Sequence, residues 1–370
     1  MGPNLIALAI PLFFVFIGLE LLVAKKRGLT VYRTGDALAD LGCGIGQQLV
    51  SVLLGAAVLS TSYSFLYDHR LVTLPEGVVP WVVAFFAVEL GYYWWHRLSH
   101  EVNLLWAAHV VHHHSEDYNL AVALRQSVTT WATSLPFYLP IALLGVPLGV
   151  FGAMLSLSTL YQFWIHTELV PSLGGVEKVL NTPALHRVHH GVNPRYLDKN
   201  HGGIVAFYDV LFGTWEPESE PVVYGTTRPL ESFNPLWAQV EQYLDLVRLA
   251  RKAPSGWLAL KVFWASPAWR EPWMGAAPQR DFAKKYDVPT TRGLRRYVLS
   301  MWGVMLVGVF SFIMWGAALS AQSTAAVSVV IVLSLASLPG LIEAKPWAKP
   351  LEVARLLTVP LVALTLFIYR

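Results

Sequence analysis

Apolar runs separated by short polar, often basic, stretches organise the chain. Residues 4–24 form an apolar run, long enough for the about 20 residues that a bilayer-spanning helix needs. Lys25, Lys26 and Arg27 follow it directly. A cleaved signal segment carries its positive charge ahead of the apolar stretch, so this order predicts a retained anchor. Further spans are predicted at 43–66, 79–95, 297–319, 323–343 and 351–369. The almost uncharged stretch 131–165 is too long for one crossing. Pro136, Pro140, Gly145 and Pro147 interrupt it, which predicts a helical hairpin or two broken helices.

Basic residues concentrate in cytoplasmic loops of membrane proteins, which orients these spans. Lys25, Lys26, Arg27 and Arg33 place the first loop in the cytoplasm, and the loop at 67–78 then lies outside. The third span returns inward and ends at His96. The 131–165 hairpin leaves from the cytoplasm and comes back to it. The segment 166–296 is then cytoplasmic, in agreement with Lys252, Lys261, Arg280, Lys284, Lys285, Arg292, Arg295 and Arg296, and Lys345 and Lys349 fall inside as well. Within that segment, 257–273 carries Trp257, Trp264, Trp269 and Trp273 among Leu, Val and Phe. The pattern suits a helix lying in the membrane interface and equally an amphipathic packing helix.

Composition supports this class. Hydrophobic residues make up 55% of the 370 residues and charged residues only 14%, with a mean hydropathy of +0.47. Soluble domains carry about 25% charged residues. The net charge of +3 and the lack of a basic stripe argue against a nucleic-acid partner. Cys43 is the only cysteine, so there is neither a disulfide framework nor a thiolate metal site. Fifteen Trp and 23 Pro fit aromatic belts and interrupted helices. The expectation is an all-α, polytopic transmembrane helix bundle with a cytoplasmic helical cap. Its parts are N-terminal transmembrane helices over 1–78, a catalytic domain over 79–240, a cytoplasmic or interfacial segment over 241–296, and C-terminal transmembrane helices over 297–370.

Eleven of the 12 histidines lie between His96 and His201. HRLSH supplies His96 and His100; HVVHHH supplies His109, His112, His113 and His114; WIHTE supplies His166; HRVHH supplies His186, His189 and His190; His201 follows. Spacings of three and four place side chains on one helix face. His96 therefore projects with His100, His109 with His112 and His113, and His186 with His189 and His190. The topology brings all three groups and His166 to the cytoplasmic membrane boundary. Imidazole suits Zn, Cu, Fe and Ni. Nine or more imidazoles exceed the four that one tetrahedral ion takes, and a two-metal centre uses them. A lone histidine is more often a satisfied polar residue, and His69, on the opposite side, is read that way. For the grouped residues the ordinary reading requires many desolvated imidazoles with no partner, which is costly.

The set HxxxH, HxxHH, HxxHH on a membrane scaffold resembles the fatty acid hydroxylase/sterol desaturase superfamily of membrane di-iron enzymes. The similarity is tightest over 92–216, in YYWWHRLSHEVNLLWAAHVVHHHSEDYNLAVALRQS, LYQFWIHTELV and NTPALHRVHHGVNPRYLDKNHGGIVAFYDVLFGTWEPE. There it resembles the ether-lipid (alkylglycerol) monooxygenase branch. The resemblance implies a histidine-rich di-iron site, with His96, His100, His109, His112, His113, His166, His186, His189 and His190 as metal ligands and hence as the catalytic set. His114 and His201 depart from the family pattern and are read as extra ligands or as donors behind the ligands. Glu101, Glu116, Asp117 and Asp198 could orient imidazoles through their second N–H, or be helix caps and surface ion pairs.

Two ferrous ions can reduce dioxygen and oxidise an inert C–H bond, while the protein positions the substrate and excludes competing reactions. The lipid substrate enters from the bilayer. In the ether-lipid reading oxygen is inserted beside the ether oxygen, and the hemiacetal falls apart to an aldehyde and glycerol. The resemblance implies tetrahydrobiopterin as electron donor. The sequence shows no identifiable pterin site, no GxGxxG and no haem motif, so the donor is a separate partner. Trp106, Tyr161, Phe163 and Trp164 are candidates for a substrate tunnel or for plain packing. Asn119, Arg125 and Gln126 could meet a lipid headgroup or pterin, and a capping role explains Asn119 equally well. Competing readings are a sterol desaturase or fatty-acyl hydroxylase on the same centre, a histidine-rich metal transporter, and an inactive scaffold. Transport would require ionisable groups inside the spans, where Glu89 and Glu20 are the main ones.

Overall fold

A computed structural model describes residues 5–275, 280–282 and 284–368. Residues 4 and 369, the outer ends of the first and last predicted spans, lie outside the described residues. The described chain is helical, and its only β pairings are two isolated bridges, Leu180 with Val205 and Gly191 with Tyr224.

Helix α1 covers Leu5–Arg27. It is apolar on all sides and exposes Leu12, Val15, Phe16 and Leu22, a surface that hydrocarbon rather than water can cover. The next helix begins earlier than the apolar run at 43–66 suggested. α2 (Thr34–Val50) passes through a π-helical turn at Ser51–Gly55 into α3 (Ala56–Asp68). Its first turns, ahead of that run, carry Asp36 and Asp40, which are buried and bonded to Ser115 and Arg125. α4 (Val79–Glu101) likewise continues past the apolar run, so His96 and His100 ride on helix. α5 (Asn103–His113) follows after a one-residue break. The stretch 131–165 is broken, as its prolines suggested, into α6 (Thr130–Tyr138), α7 (Pro140–Leu143) and α8 (Leu148–Trp164). Short α9 (Pro183–His189) and α10 (Phe207–Phe212) precede α11 (Pro235–Lys252) and α12 (Gly256–Trp264). α13 (Arg292–Trp315), α14 (Ala321–Ile342) and α15 (Ala348–Ile368) close the chain.

Among the described residues, four helical stretches are long and apolar enough to cross a membrane: Leu8–Arg27, Thr34–Asp68, Arg292–Ala318 and Ala321–Ile342. This is a multi-pass membrane protein. The tryptophan pattern of 257–273 splits in two. Trp257 and Trp264 are exposed on α12, whereas Trp269 and Trp273 pack on Ala107, Leu246 and Val262.

The same ends of the long helices meet the segments that carry the histidines. At the C-terminal end of α1, Arg27 donates to the Leu169 carbonyl and Glu20 accepts from Leu120 N, Tyr32 and Thr167. Before α2, Arg33 pairs with Asp117 at 3.0 Å. Just past α14, Glu343 accepts from Phe233 N. Glu89, deep in α4, accepts from Ser158 Oγ at 2.6 Å and from the amides of Ile204 and Val205 at 2.6 and 3.1 Å. It pins the 201–205 loop to α4 and α8. Glu20 and Glu89, the two carboxylates weighed for transport, are thus consumed by structural bonds, and transport is not favoured.

Gly145 joins α7 to α8 at φ +81°, and a Cβ there would lie 2.1 Å from the Val72 carbonyl oxygen. Left-handed strain alone costs about 1–3 kcal/mol, and the carbonyl belongs to backbone that cannot swing aside. Gly145→Ala is expected to lower the thermal unfolding midpoint in detergent by several degrees, checked by tryptophan fluorescence.

Candidate metal centre

Nine buried imidazoles converge in two adjoining groups. His96 and His100 from α4, His109 and His113 from α5, and His189 from α9 form one. His112 from α5, His166 after α8, His186 from α9 and His190 at its C-terminal end form the other. Within each group one nitrogen per ring lies within 4.8 Å of all the others. The groups touch: the His113 and His190 rings stack at 4.4 Å, and His112 and His190 meet edge-on at 4.5 Å.

Local sequence explains the placement. Residues three and four apart share a helix face, which aims the pairs of α4, α5 and α9. Because α5 is rotated between the groups, His109 and His113 serve one and His112 the other. α5 is fixed by Asn103, whose side-chain amide donates to Val262 O at 2.9 Å. α9 starts at Pro183, with the Thr182 hydroxyl accepting from Leu185 N, a favourable N-terminal arrangement.

Backbone carbonyls set the tautomers. His96 Nδ1 lies 2.8 Å from His201 O, His112 Nδ1 2.9 Å from Arg125 O, His166 Nδ1 2.6 Å from Gln162 O and His189 Nδ1 2.9 Å from Lys199 O. A carbonyl only accepts, so each Nδ1 carries the proton and each Nε2 presents a bare lone pair. The Nε2 atoms of His112 and His166 are then two lone pairs 3.2 Å apart. His96 and His109 Nε2 are 2.9 Å apart, His109 and His113 Nε2 3.1 Å, and His166 and His186 Nε2 2.9 Å. Nitrogens bound to one ion at about 2.1 Å stand about 3.0–3.4 Å apart at right-angle or tetrahedral positions. The buried Nε2 atoms of His100, His189 and His190 have no hydrogen-bond partner at all, which is rare in a folded protein. The donor set fits metal ions.

Burial, reinforced by the neighbouring imidazoles, holds His109, His113, His186, His189 and His190 well below the usual histidine range. Burial lowers His112 to about 4. These rings are neutral at pH 7, the form that ligates.

His114 lies buried outside both groups. The His201 ring packs at 5.2 Å from His100 and 5.5 Å from His96, also outside the groups, while its carbonyl orients His96. His69 is exposed, just past the end of α3, and its ring bonds Phe65 O of that helix. Of the four candidate carboxylates, Asp198 is the one paired with an imidazole among the described residues, 3.7 Å from His100 Nδ1. Glu101 pairs with Arg97 at 2.9 Å. Glu116 and Asp117 belong to an ionic network with Arg33, Arg280 and Lys285. Asn119 donates to Val31 O and accepts from Ala121 N, a loop-shaping role. Tyr161 spends its hydroxyl on Asn181 O, and Trp164 packs on Tyr161. Trp106 packs at 5.0 Å from His100.

Two supporting carboxylates escaped the sequence reading. Asp40 holds Arg125 at 3.0 Å while the Arg125 Nε donates to Val111 O at 2.6 Å, which fixes the carbonyl that orients His112. Asp209 accepts from the amides of His201 and Gly202 at 2.7 and 2.8 Å, which fixes the carbonyl that orients His96. Burial raises its carboxyl to about 6.

A cavity of about 870 Å³ abuts the centre, with His109, His112 and His166 in its wall and Phe13, Phe163, Leu306 and Phe310 among its apolar lining. That volume lies in the range of lipid- or drug-sized ligands.

Fold and site together define a membrane protein whose buried histidines could hold metal beside a largely apolar cavity. A sequence model of the fatty acid hydroxylase family matches residues 81–214. The chain is similar to alkylglycerol monooxygenase from Homo sapiens, 37% identical over 96% of this chain and 81% of that protein. It is equally similar to the Danio rerio enzyme of that name, 37% identical over 97% and 82%. A more distant match, 29% identical over 38% of this chain and 45% of that protein, is ornithine lipid hydroxylase OlsE from Rhizobium tropici. No solved structure matches. The chain belongs to the alkylglycerol monooxygenase family within the fatty acid hydroxylases, and is an oxygen-dependent membrane lipid monooxygenase.

Proposed function

We propose that the protein cleaves ether lipids of the 1-O-alkylglycerol class, using two iron ions held by the nine grouped histidines. His96, His100, His109, His113 and His189 hold one ion; His112, His166, His186 and His190 hold the other. The single observation that carries the metal assignment is the contact between His112 and His166. Both rings give their only proton to a carbonyl, and their bare nitrogens still face each other at 3.2 Å, which a shared cation reconciles. The iron pair supplies the reduction of dioxygen and the oxidation of the C–H bond.

The chain's own residues supply the rest. The carbonyls of His201, Arg125, Gln162 and Lys199 hold the imidazoles in ligating orientation. The cavity takes an alkyl tail out of the bilayer and delivers the carbon beside the ether oxygen to the wall formed by His109, His112 and His166. The apolar lining keeps water from the reacting carbon. One oxygen atom of O2 enters the C–H bond and the other leaves as water, with two electrons and two protons from a separate reduced pterin such as tetrahydrobiopterin. The hydroxylated carbon is a hemiacetal, which breaks to a long-chain aldehyde and glycerol. Lys25, Lys26 and Arg27 lie in the last turn of α1, the end that bonds the histidine-carrying segment through Arg27 and Leu169 O, which supports a cytoplasmic side for this chemistry by the distribution of basic residues.

The test is turnover of 1-O-hexadecylglycerol by membranes containing the protein, with reduced pterin and ¹⁸O-labelled dioxygen, trapping the product as the alcohol with borohydride. Labelled hexadecanol is the expected product. Turnover of a sterol or fatty acyl lipid with no labelled hexadecanol overturns the ether-lipid reading.

A further inference from the structure

We propose that Tyr224, stacked on the four-histidine group through Tyr118, is a redox-active residue that drains oxidising equivalents from the centre to the surface when no lipid is bound. This rests on the iron pair proposed above and adds a protective function to lipid oxidation.

The need follows from the electron count. Dioxygen takes four electrons and four protons on its way to two waters. In productive turnover two of the electrons come from the separate donor by way of the irons, and the lipid C–H bond gives the other two. With no lipid in the cavity, the second pair comes from the protein. The imidazoles and the rings beside them are the nearest oxidisable groups, and excluding such side reactions falls to the chain.

A stack of rings leads outward from the four-histidine group. Tyr118, in the loop after α5, is 1% exposed. Its ring stacks on His166, 5.8 Å away and inclined at 27°, and meets the His190 ring at 5.2 Å. Tyr224 in turn stacks on Tyr118 at 4.9 Å and only 10°. These are the separations of aromatic pairs in contact, about 4.5–7 Å, so π systems run from a ligand to the rim. Backbone pairing holds the outer ring: Tyr224 bridges to Gly191, next to His190, and Val192 N donates to Val223 O at 2.8 Å. Tyr224 is half-buried, and its hydroxyl bonds the carboxylate of the exposed Glu168.

The two phenols are not equivalent. Tyr118 gives its single O–H to Ile165 O at 3.1 Å, and a neutral carbonyl takes no proton away. Tyr118 therefore conducts, and Tyr224 is the group oxidised. In the step, Tyr224 gives one electron through the Tyr118 and His166 rings to the centre. Its phenolic proton passes to water at the rim beside Glu168, and a neutral tyrosyl radical remains. A one-electron reductant of the ascorbate class returns the electron and water returns the proton. Two such transits supply the missing pair. Neutral tyrosine yields an electron only to a strong oxidant, so the path is silent toward the resting centre. The four-histidine group is also the one with more coordination positions open, and its His112 and His166 border the cavity. At the five-histidine group the competing exit is Trp106, half-buried and 5.0 Å from His100.

The test uses the full-length, iron-loaded, reduced protein in nanodiscs, mixed with oxygen in the absence of lipid and of added reductant. Freeze-quenched samples of the wild type are expected to show a tyrosyl radical by electron paramagnetic resonance. Its spectrum should narrow when the protein is made with ring-deuterated tyrosine, and a nitroso spin trap should leave its adduct on Tyr224. Tyr224→Phe keeps the stack; it is expected to lose the signal at unchanged iron content. Over repeated oxygen exposures it should accumulate oxidised histidine at positions 166 and 190 several-fold faster, read by mass spectrometry. With lipid present its initial turnover should equal the wild type's. A wild-type radical that deuterated tyrosine does not narrow, as one on Trp106 would be, overturns the proposal. So does an adduct on another residue, or oxygen consumption with no radical. An iron-replete Tyr224→Phe protein with the same signal, or with histidines as durable as the wild type's, overturns it as well. Failure to take up iron strikes the centre and the path together. A Tyr224 radical in a protein that forms no aldehyde from 1-O-hexadecylglycerol strikes the ether-lipid reading and leaves the path standing.

Discussion

His113→Ala and His190→Ala, one from each group, are each expected to reduce lipid oxidation by more than about a hundredfold. Changing a residue behind a ligand costs about 10–100-fold in metal affinity or activity, and losing the ligand itself exceeds that. The two rings stack at 4.4 Å at the junction of the groups, so each removal would open one proposed ligand set and unsettle its neighbour. His69→Ala, at an exposed position outside both groups, is the control and should keep wild-type turnover. Metal per chain by mass spectrometry, measured with labelled aldehyde yield, checks both arms. A His113→Ala protein with full iron and full turnover would remove that residue from the site.

The second large effect falls on Asp40. It is fully buried, and it is the carboxylate within bonding distance of the buried Arg125 guanidinium. Asp40→Leu strands that cation, and breaking a buried pair from one side costs about 3–5 kcal/mol. Because the Arg125 carbonyl orients His112, iron retention should fall together with thermal stability. Pairing Asp40→Leu with Arg125→Met should recover most of the stability, since replacing a whole buried ion pair with apolar groups is often neutral or better. Thermal unfolding in detergent with iron analysis of the three variants checks this. A double variant no more stable than the single would show that Arg125 acts through its bond to Val111 O instead.

Local periodicity made much of this legible. His96 with His100, and His109 with His113, needed only the rise of one helix, and the apolar runs between the boxes brought them to the same end. The nine grouped residues are the nine expected from that pattern and the family resemblance. What orients them was not legible, because every residue carries a backbone carbonyl and only the tertiary path of 125, 162, 199 and 201 selects these four. Glu116 and Asp117 sit beside a histidine box in sequence, yet turn away to Arg280 and Arg33. The apolar run at 43–66 did not mark the start of α2, because Asp36 and Asp40 are buried in its first turns by partners 79 and 85 residues away. Of the glutamines that line the cavity, Gln126 alone was singled out in the sequence, since neither spacing nor composition distinguishes an amide facing an apolar cavity from one facing water.

The most direct test of the account is metal analysis of purified protein loaded with ferrous iron in the absence of oxygen. Two iron ions per chain, falling to one or none in His113→Ala and His190→Ala, is the predicted result. A single zinc ion with no iron uptake, or no metal dependence on those histidines, would contradict it.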